Sequence, residues 1–380
     1  MVKTRTRTNE RVPSHASRSG AAAGSPRRRV FIALGAILLS SGLVSLTAAL
    51  MSGGADREPS PRVTEPTPQA RHAPVTKSGR PYRAFAARSW WDTPIPRKAP
   101  RHPAQNAILN YMSTAPDSGG GCLSLAGAGQ SHWGQPMYWA RPSDPSYDVV
   151  GILGGGPPEL NDVRIPVGAR PARNSDGSMS IFDLRQGYVT LLTDAVYDVA
   201  DNQWSASGAT VTYLHSNGLH VLTGQSDQRG NTGIHRGNNG ATAGVRWDMV
   251  QAGAINHVLK VSSGPELANR WVFPMVGSDG DYAGSDPAVP PQGLRLRIKP
   301  SVDLGSLSLH PQALVIARAL KKYGIYIGDS GGVTALKLED TVAEGRGQLW
   351  DMTSDDLCGL PFTPEFWDVL PEGYDPNRGR

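Results

Sequence analysis

The sequence predicts a mainly β body, a single sandwich or jelly roll with long loops and one or two short helices. Three observations predict it. Short runs rich in Val, Ile, Thr and aromatic residues recur through the chain. Loops dense in Gly, Asn, Asp and Ser separate them, as in "GQSDQRGNTGIHRGNNG" (224–240). With 44 Gly and 31 Pro in 380 residues, long helices have little room.

The body is preceded by three segments of different composition. Residues 1–29 hold eight Lys/Arg against one acid and so carry +7 of a formal net charge of +5, which leaves −2 for the remainder. The body therefore has no basic excess to attract nucleic acid. Residues 30–51 are 22 consecutive residues without a charge, long enough to cross a bilayer as a helix. The cluster Arg27–Arg29 marks their cytoplasmic side. Two readings stand: an uncleaved membrane anchor, or an export signal, of Sec or twin-arginine type, cleaved to release a secreted protein. Both place the body outside the cytoplasm, at the cell membrane or beyond it. Residues 52–82, with Pro59, Pro61, Pro66, Pro68, Pro74 and Pro81, read as a disordered linker.

Residues 83–380 form the β-rich extracytoplasmic domain. Its strands are expected in "SMSIFDL" (178–184), "YVTLLTDAVYDV" (188–199), "ATVTYL" (209–214), "HVLKV" (257–261), "RWVFPMV" (270–276) and "LRLRIK" (294–299). One helix is expected in "HPQALVIARALKKYG" (310–324). Ser308 or His310 offers a cap, Pro311 suits the first turn, Leu314, Ala317 and Leu320 share a face, and Gly324 stops it. A shorter helix is expected at "WDMVQAG" (247–253). The two cysteines, Cys122 and Cys358, read as one disulfide joining the ends of the body, or else as two buried thiols.

The stretch "YGIYIGDSGGVTAL" (323–336) contains the pentapeptide that surrounds the nucleophile of trypsin-like proteases. That chemistry needs a histidine base and an orienting aspartate, and none of the nine histidines has the Ala-Ala-His-Cys context. Asp329-Ser330-Gly331-Gly332 instead reads as a hairpin turn between "IYI" and "VTALKLED".

Other candidate chemistry is spread along the chain. His257, in "AINHVLKV", could serve as a general base or be a core histidine. Asp183, Asp194 and Asp198 lie in or beside strands, where two carboxylates could work on a glycosidic bond. Trp90, Trp91, Trp133, Trp139 and Trp204 border polar stretches, where sugar rings could stack on them, or they plug the core. Asp279, Asp281 and Asp286 could hold Ca²⁺, although the distal Glu of an EF-hand is missing. No other cofactor and no other metal is expected.

The segments "SWWDTPIPRKAPRHPAQNAILNYM", "GATAGVRWDMVQAGAINHVLKV", "VPPQGLRLRIKPSVDL" and "ALVIARALKKYGIYIGDSGG" together resemble a family of exported actinobacterial proteins. That family shares a Trp-(Asn/Asp)-Thr-Pro-Ile-Pro opening, a Gly-x-Ile-x-His-Ala-Leu stretch, a Pro-x-Gly-x-Arg-x-Arg-Leu strand and a Tyr-Gly-x-x-x-x-Asp end to a helix. The resemblance covers most of residues 89–340. It singles out Asp92, His257, Arg297 and Asp329 as the matching polar positions, while Val258-Leu259 departs from the family's Ala-Leu. Together these readings predict an extracytoplasmic protein that engages a polysaccharide or cell-envelope glycan. If it is an enzyme, it is a glycoside hydrolase or polysaccharide lyase with His257, Asp329, Asp183 and Asp194 as catalytic candidates. Trp90, Trp204 and Arg297 would then bind substrate. The alternative is a non-catalytic structural or adhesion domain of the envelope.

Overall fold

The computed structural model describes residues 71–378, except 75, 77, 78 and 232–234. The basic tail, the uncharged span at 30–51 and the linker before residue 71 lie outside the described residues. No helix among the described residues is long and apolar enough to cross a membrane. The packed body reaches back into the segment read as linker. Arg71 is ion-paired with Asp144 and donates to the Trp139 carbonyl at 3.1 Å, and Ala73 is buried.

The body is mainly β. In chain order its strands are β1 (Ser124–Ala126), β2 (Met137–Trp139), β3 (Ser146–Tyr147), β4 (Val163–Arg164), β5 (Met179–Asp183), β6 (Tyr188–Thr193), β7 (Val196–Asp198), β8 (Gln203–Ser205), β9 (Gly208–Tyr213), β10 (Leu259–Ser263), β11 (Arg295–Ile298), β12 (Ile325–Ser330), β13 (Ala335–Lys337) and β14 (Trp367–Val369). The helices are α1 (Gln105–Thr114), α2 (Trp247–Gln251) and α3 (Pro311–Lys322). A six-stranded mixed sheet runs β1-β13-β10-β12-β11-β14, and a four-stranded sheet runs β2-β5-β6-β9. Two hairpin-sized sheets, β3-β4 and β7-β8, lie outside them.

Alternation along the strands assigns each side chain to a layer. Ile325 and Ile327 join the core that α1 and α3 cover, while Tyr326 between them joins a second core. That second core also takes Met137, Phe182 and Val189 from the four-stranded sheet. The opposite face of the four-stranded sheet, with Met179, Ile181 and Leu192, packs on a third core containing Trp204. The whole of β5 is buried for this reason.

Helix α3 follows the expected signals. The His310 ring accepts from the Gln312 amide, Pro311 opens the first turn, and Lys321 and Lys322 stand at the negative end. Gly324 follows with φ +77°, and a Cβ there would meet the Leu296 carbonyl at 2.2 Å, so only glycine fits. The apolar positions Ile108, Leu109 and Met112 bury α1 against the same core. The cysteines form the disulfide Cys122–Cys358.

Two expectations are corrected. The segment 270–276 is not a strand: only Trp271 bridges, to Gln292, and Pro274 has no amide to give a ladder. The pentapeptide does not make a hairpin. β12 and β13 are not neighbours, because β10 runs between them, parallel to β12 and antiparallel to β13. Residues 331–334 therefore cross over the end of β10, tied there by Gly331 N–H to the Ser263 carbonyl at 2.8 Å.

Candidate functional site

Strands β10 and β12 pair in parallel, Val261 with Ile327 and Ser262 with Asp329, so the register slips at Gly328. A Cβ at Gly328 would meet Lys260 Cγ at 2.8 Å, so its absence makes room for the lysine stem. The buried Lys260 ammonium reaches Asp329 Oδ2 at 2.8 Å. Arg236, with a left-handed backbone (φ 51°), bridges Asp329 and Asp279 at 2.9 Å each. Burial alone would raise the Asp329 carboxyl. The Lys260 charge and hydrogen bond and the Arg236 charge outweigh it and hold the carboxyl well below the usual carboxylate range.

Lys260 and Asp329 form part of the wall of a cleft of about 630 Å³, within the range of small-ligand sites. Asn238 and Gly240 come from the loop after Arg236, and Lys337 from β13. The Asn238 side-chain oxygen Oδ1 accepts from the Tyr326 hydroxyl at 3.0 Å, and burial holds that phenol protonated far above its usual range. The four-stranded sheet supplies Leu191 and Thr193 from β6 and Ala209 and Thr210 from β9. The turn before β5 brings Asp176, which pairs with Lys337 at 2.9 Å, and Ser178, which donates to Gln135 at 3.1 Å. Asp194 closes the rim with a left-handed backbone (φ 50°), its carboxylate accepting from the Ser207 hydroxyl. The lining thus presents carboxylates, ammonium groups, amides and hydroxyls.

Of the predicted site residues, the cleft takes in Asp329 and Asp194. His257 is buried elsewhere, its ring bonded to the Val258 carbonyl at 2.8 Å and touching Met249 Sδ at 3.3 Å. Burial pushes its pKa down to about 4, so the ring stays neutral. Asp183 organises the β5–β6 turn, accepting from the amides of Arg185 and Gln186 at 2.9 Å each and pairing with Arg164 at 3.0 Å. Asp198 accepts from the Ala200 amide within the turn from β7 to β8.

The proposed sugar platforms are core residues. Trp90 is 2 % exposed, its indole N–H bonded to the Tyr374 carbonyl, and Trp204 is 3 % exposed against Tyr197. Trp91 is buried and Trp139 stacks on Phe182, whereas Trp133 is exposed but does not line the cleft.

Arg297 is also structural. With Arg295 it pins the segment 90–97 to β11: Arg297 donates to the Pro96 and Arg97 carbonyls at 2.6 and 3.1 Å, and Arg295 lies 4.4 Å over the Trp90 ring. Asp92 in that segment is buried with Arg83 at 3.4 Å, and burial, partly opposed by Arg83, pushes its pKa up to about 7.

In the acidic loop, Asp279 and Asp286 have separate protein partners. Asp279 is engaged by Arg236, Gln292 and Ser330, and Asp286 accepts from the Ala288 amide. Among the described residues no group of three or more His, Cys, Asp or Glu side chains is disposed to hold a metal. Ser330 donates to Asp279 at 2.8 Å, not to a histidine. Lys260, Lys337, Asn238, Asp176 and Arg236 were not singled out from the sequence. The one available signal was Lys260, a charge at an inward position of an apolar strand.

No family model matches this chain, and no curated protein or solved structure matches it.

Proposed function

We propose that this chain is an extracytoplasmic protein that binds polysaccharide in the cleft between Lys260, Asp329 and Asp194. The observation that carries the reading is the lining of that cleft: two lysine–carboxylate pairs, Asp194, and the hydroxyls and amides beside them suit a ligand covered in hydroxyl groups. The uncharged span behind Arg27–Arg29 and the disulfide Cys122–Cys358 support the compartment. The two large sheets, sharing the core around Phe182 and Tyr326, make the body a sandwich in this reading.

The non-catalytic form of the reading is favoured over glycan cleavage by one observation. Asp329 stays ionised, so it can donate no proton to a leaving group, and both its oxygens are held, by Arg236 and by Lys260, so neither is free to act as nucleophile or base. His257 lies buried against Met249 and Val258 and does not line the cleft. A glycan array probed with the full-length chain, alongside an assay for new reducing ends or unsaturated products, tests both halves. Binding without product formation is expected. Absence of binding to any glycan overturns the reading, and product formation overturns its non-catalytic form.

A further inference from the structure

The charges in the cleft narrow the ligand class, on the premise that it binds a glycan. Its two ammonium groups are each already matched: Lys260 with Asp329 at 2.8 Å and Lys337 with Asp176 at 2.9 Å. The third carboxylate, Asp194, accepts only from the neutral Ser207 hydroxyl, and no cation pairs with it among the described residues. Three carboxylates against two ammonium groups leave the cleft lining a net single negative charge, at Asp194, while Arg236 behind the lining is shared between Asp329 and Asp279.

We infer that the cleft selects a glycan bearing free amino groups, with a ligand ammonium seated on the Asp194 carboxylate as the specificity-determining contact. An acidic sugar would have to break a lysine pair and face Asp194. A neutral sugar would leave the carboxylate unmatched. An ammonium gains a charge-assisted hydrogen bond without disturbing either pair. Asp194 is held ready for this: its amide donates to the Asp176 carbonyl at 2.8 Å, and its left-handed backbone is one that Asp tolerates.

The test is calorimetric titration of the full-length chain with oligosaccharides of equal length built from glucosamine, N-acetylglucosamine or galacturonate, at low and raised salt. The glucosamine oligomer is expected to bind about two- to fivefold more tightly than the acetylated one, the size of an exposed ion pair, since Asp194 is exposed. That preference should shrink as salt screens it. In Asp194→Asn, which keeps a residue tolerant of the left-handed backbone, the ratio of the two affinities should fall to about one. Equal or tighter binding of the acetylated or galacturonate oligomer overturns the inference while leaving glycan binding intact, and so does a preference that survives Asp194→Asn. Failure of all three oligomers to bind also overturns the inference, and the glycan reading falls with it only if the array likewise shows no bound glycan.

Discussion

Lys260 and Asp329 stand on neighbouring parallel strands, and their side chains meet at 2.8 Å because Gly328 leaves the lysine stem a path. The contact joins the sheet to the cleft. Replacing the carboxylate leaves a buried ammonium without its partner. Asp329→Asn should cost about 1–2 kcal/mol of stability, less than a fully buried pair would because the aspartate side chain keeps 29 % exposure. Glycan binding should fall with it. Denaturant titration of the variant beside the parent measures the first, and the glycan array the second.

Asp92 sets a pH dependence. Its folded pKa, pushed up to about 7, exceeds the model-compound value of 3.8, so the folded state binds this proton more tightly than the unfolded chain. The stabilising contribution is complete below pH ~4 and is lost as pH rises through about 7. Melting temperature should therefore fall between roughly pH 4 and 7, and Asp92→Asn should remove most of that slope. An unchanged slope in the variant would assign the effect to another group. The natural second is Glu344, buried beside Glu339 and pushed upward by burial and by that neighbour's charge, with Arg346 shared between them.

The fold was legible where local pattern and tertiary role coincide. Helix α3 has a cap, a proline and an apolar face in register, and β5 and β6 alternate because each face meets a different core. Strands β1, β2 and β14 have three residues each, too few for a period to show, and their order depends on partners far away in the chain. The crossover after Ser330 was misread for that reason: Asp-Ser-Gly-Gly has turn chemistry, but nothing local says that β10 lies between its two strands. The cleft was legible only at Asp329 and Asp194. Its other charged members, Asp176, Lys260 and Lys337, are separated by scores of residues and form no motif. Trp90 and Arg297 stood out as chemical groups, yet they serve to hold the segment 90–97 onto the sheet.

Ser330 should prove dispensable for binding. Its hydroxyl gives one exposed hydrogen bond, to Asp279, so Ser330→Ala should cost about 0.5–1 kcal/mol at most. A fluorophosphonate probe should leave the chain unlabelled. Labelling at Ser330 that a histidine substitution abolishes would restore the nucleophile.

The disulfide closes a separation of 236 residues. In the chain-entropy account its removal should cost about 5 kcal/mol. Cys122→Ser with Cys358→Ser should therefore lower the denaturation midpoint sharply, and thiol labelling of the unreduced, denatured parent should find no free cysteine.

The most direct test of the central claim is the affinity of the full-length chain and of Lys260→Ala for the tightest glycan found on the array. The account predicts saturable binding by the parent and at least a tenfold loss in the variant, about 1.4 kcal/mol, with circular dichroism showing the same fold. Equal affinity in a folded Lys260→Ala variant would contradict it, because glycan recognition would then lie outside this cleft.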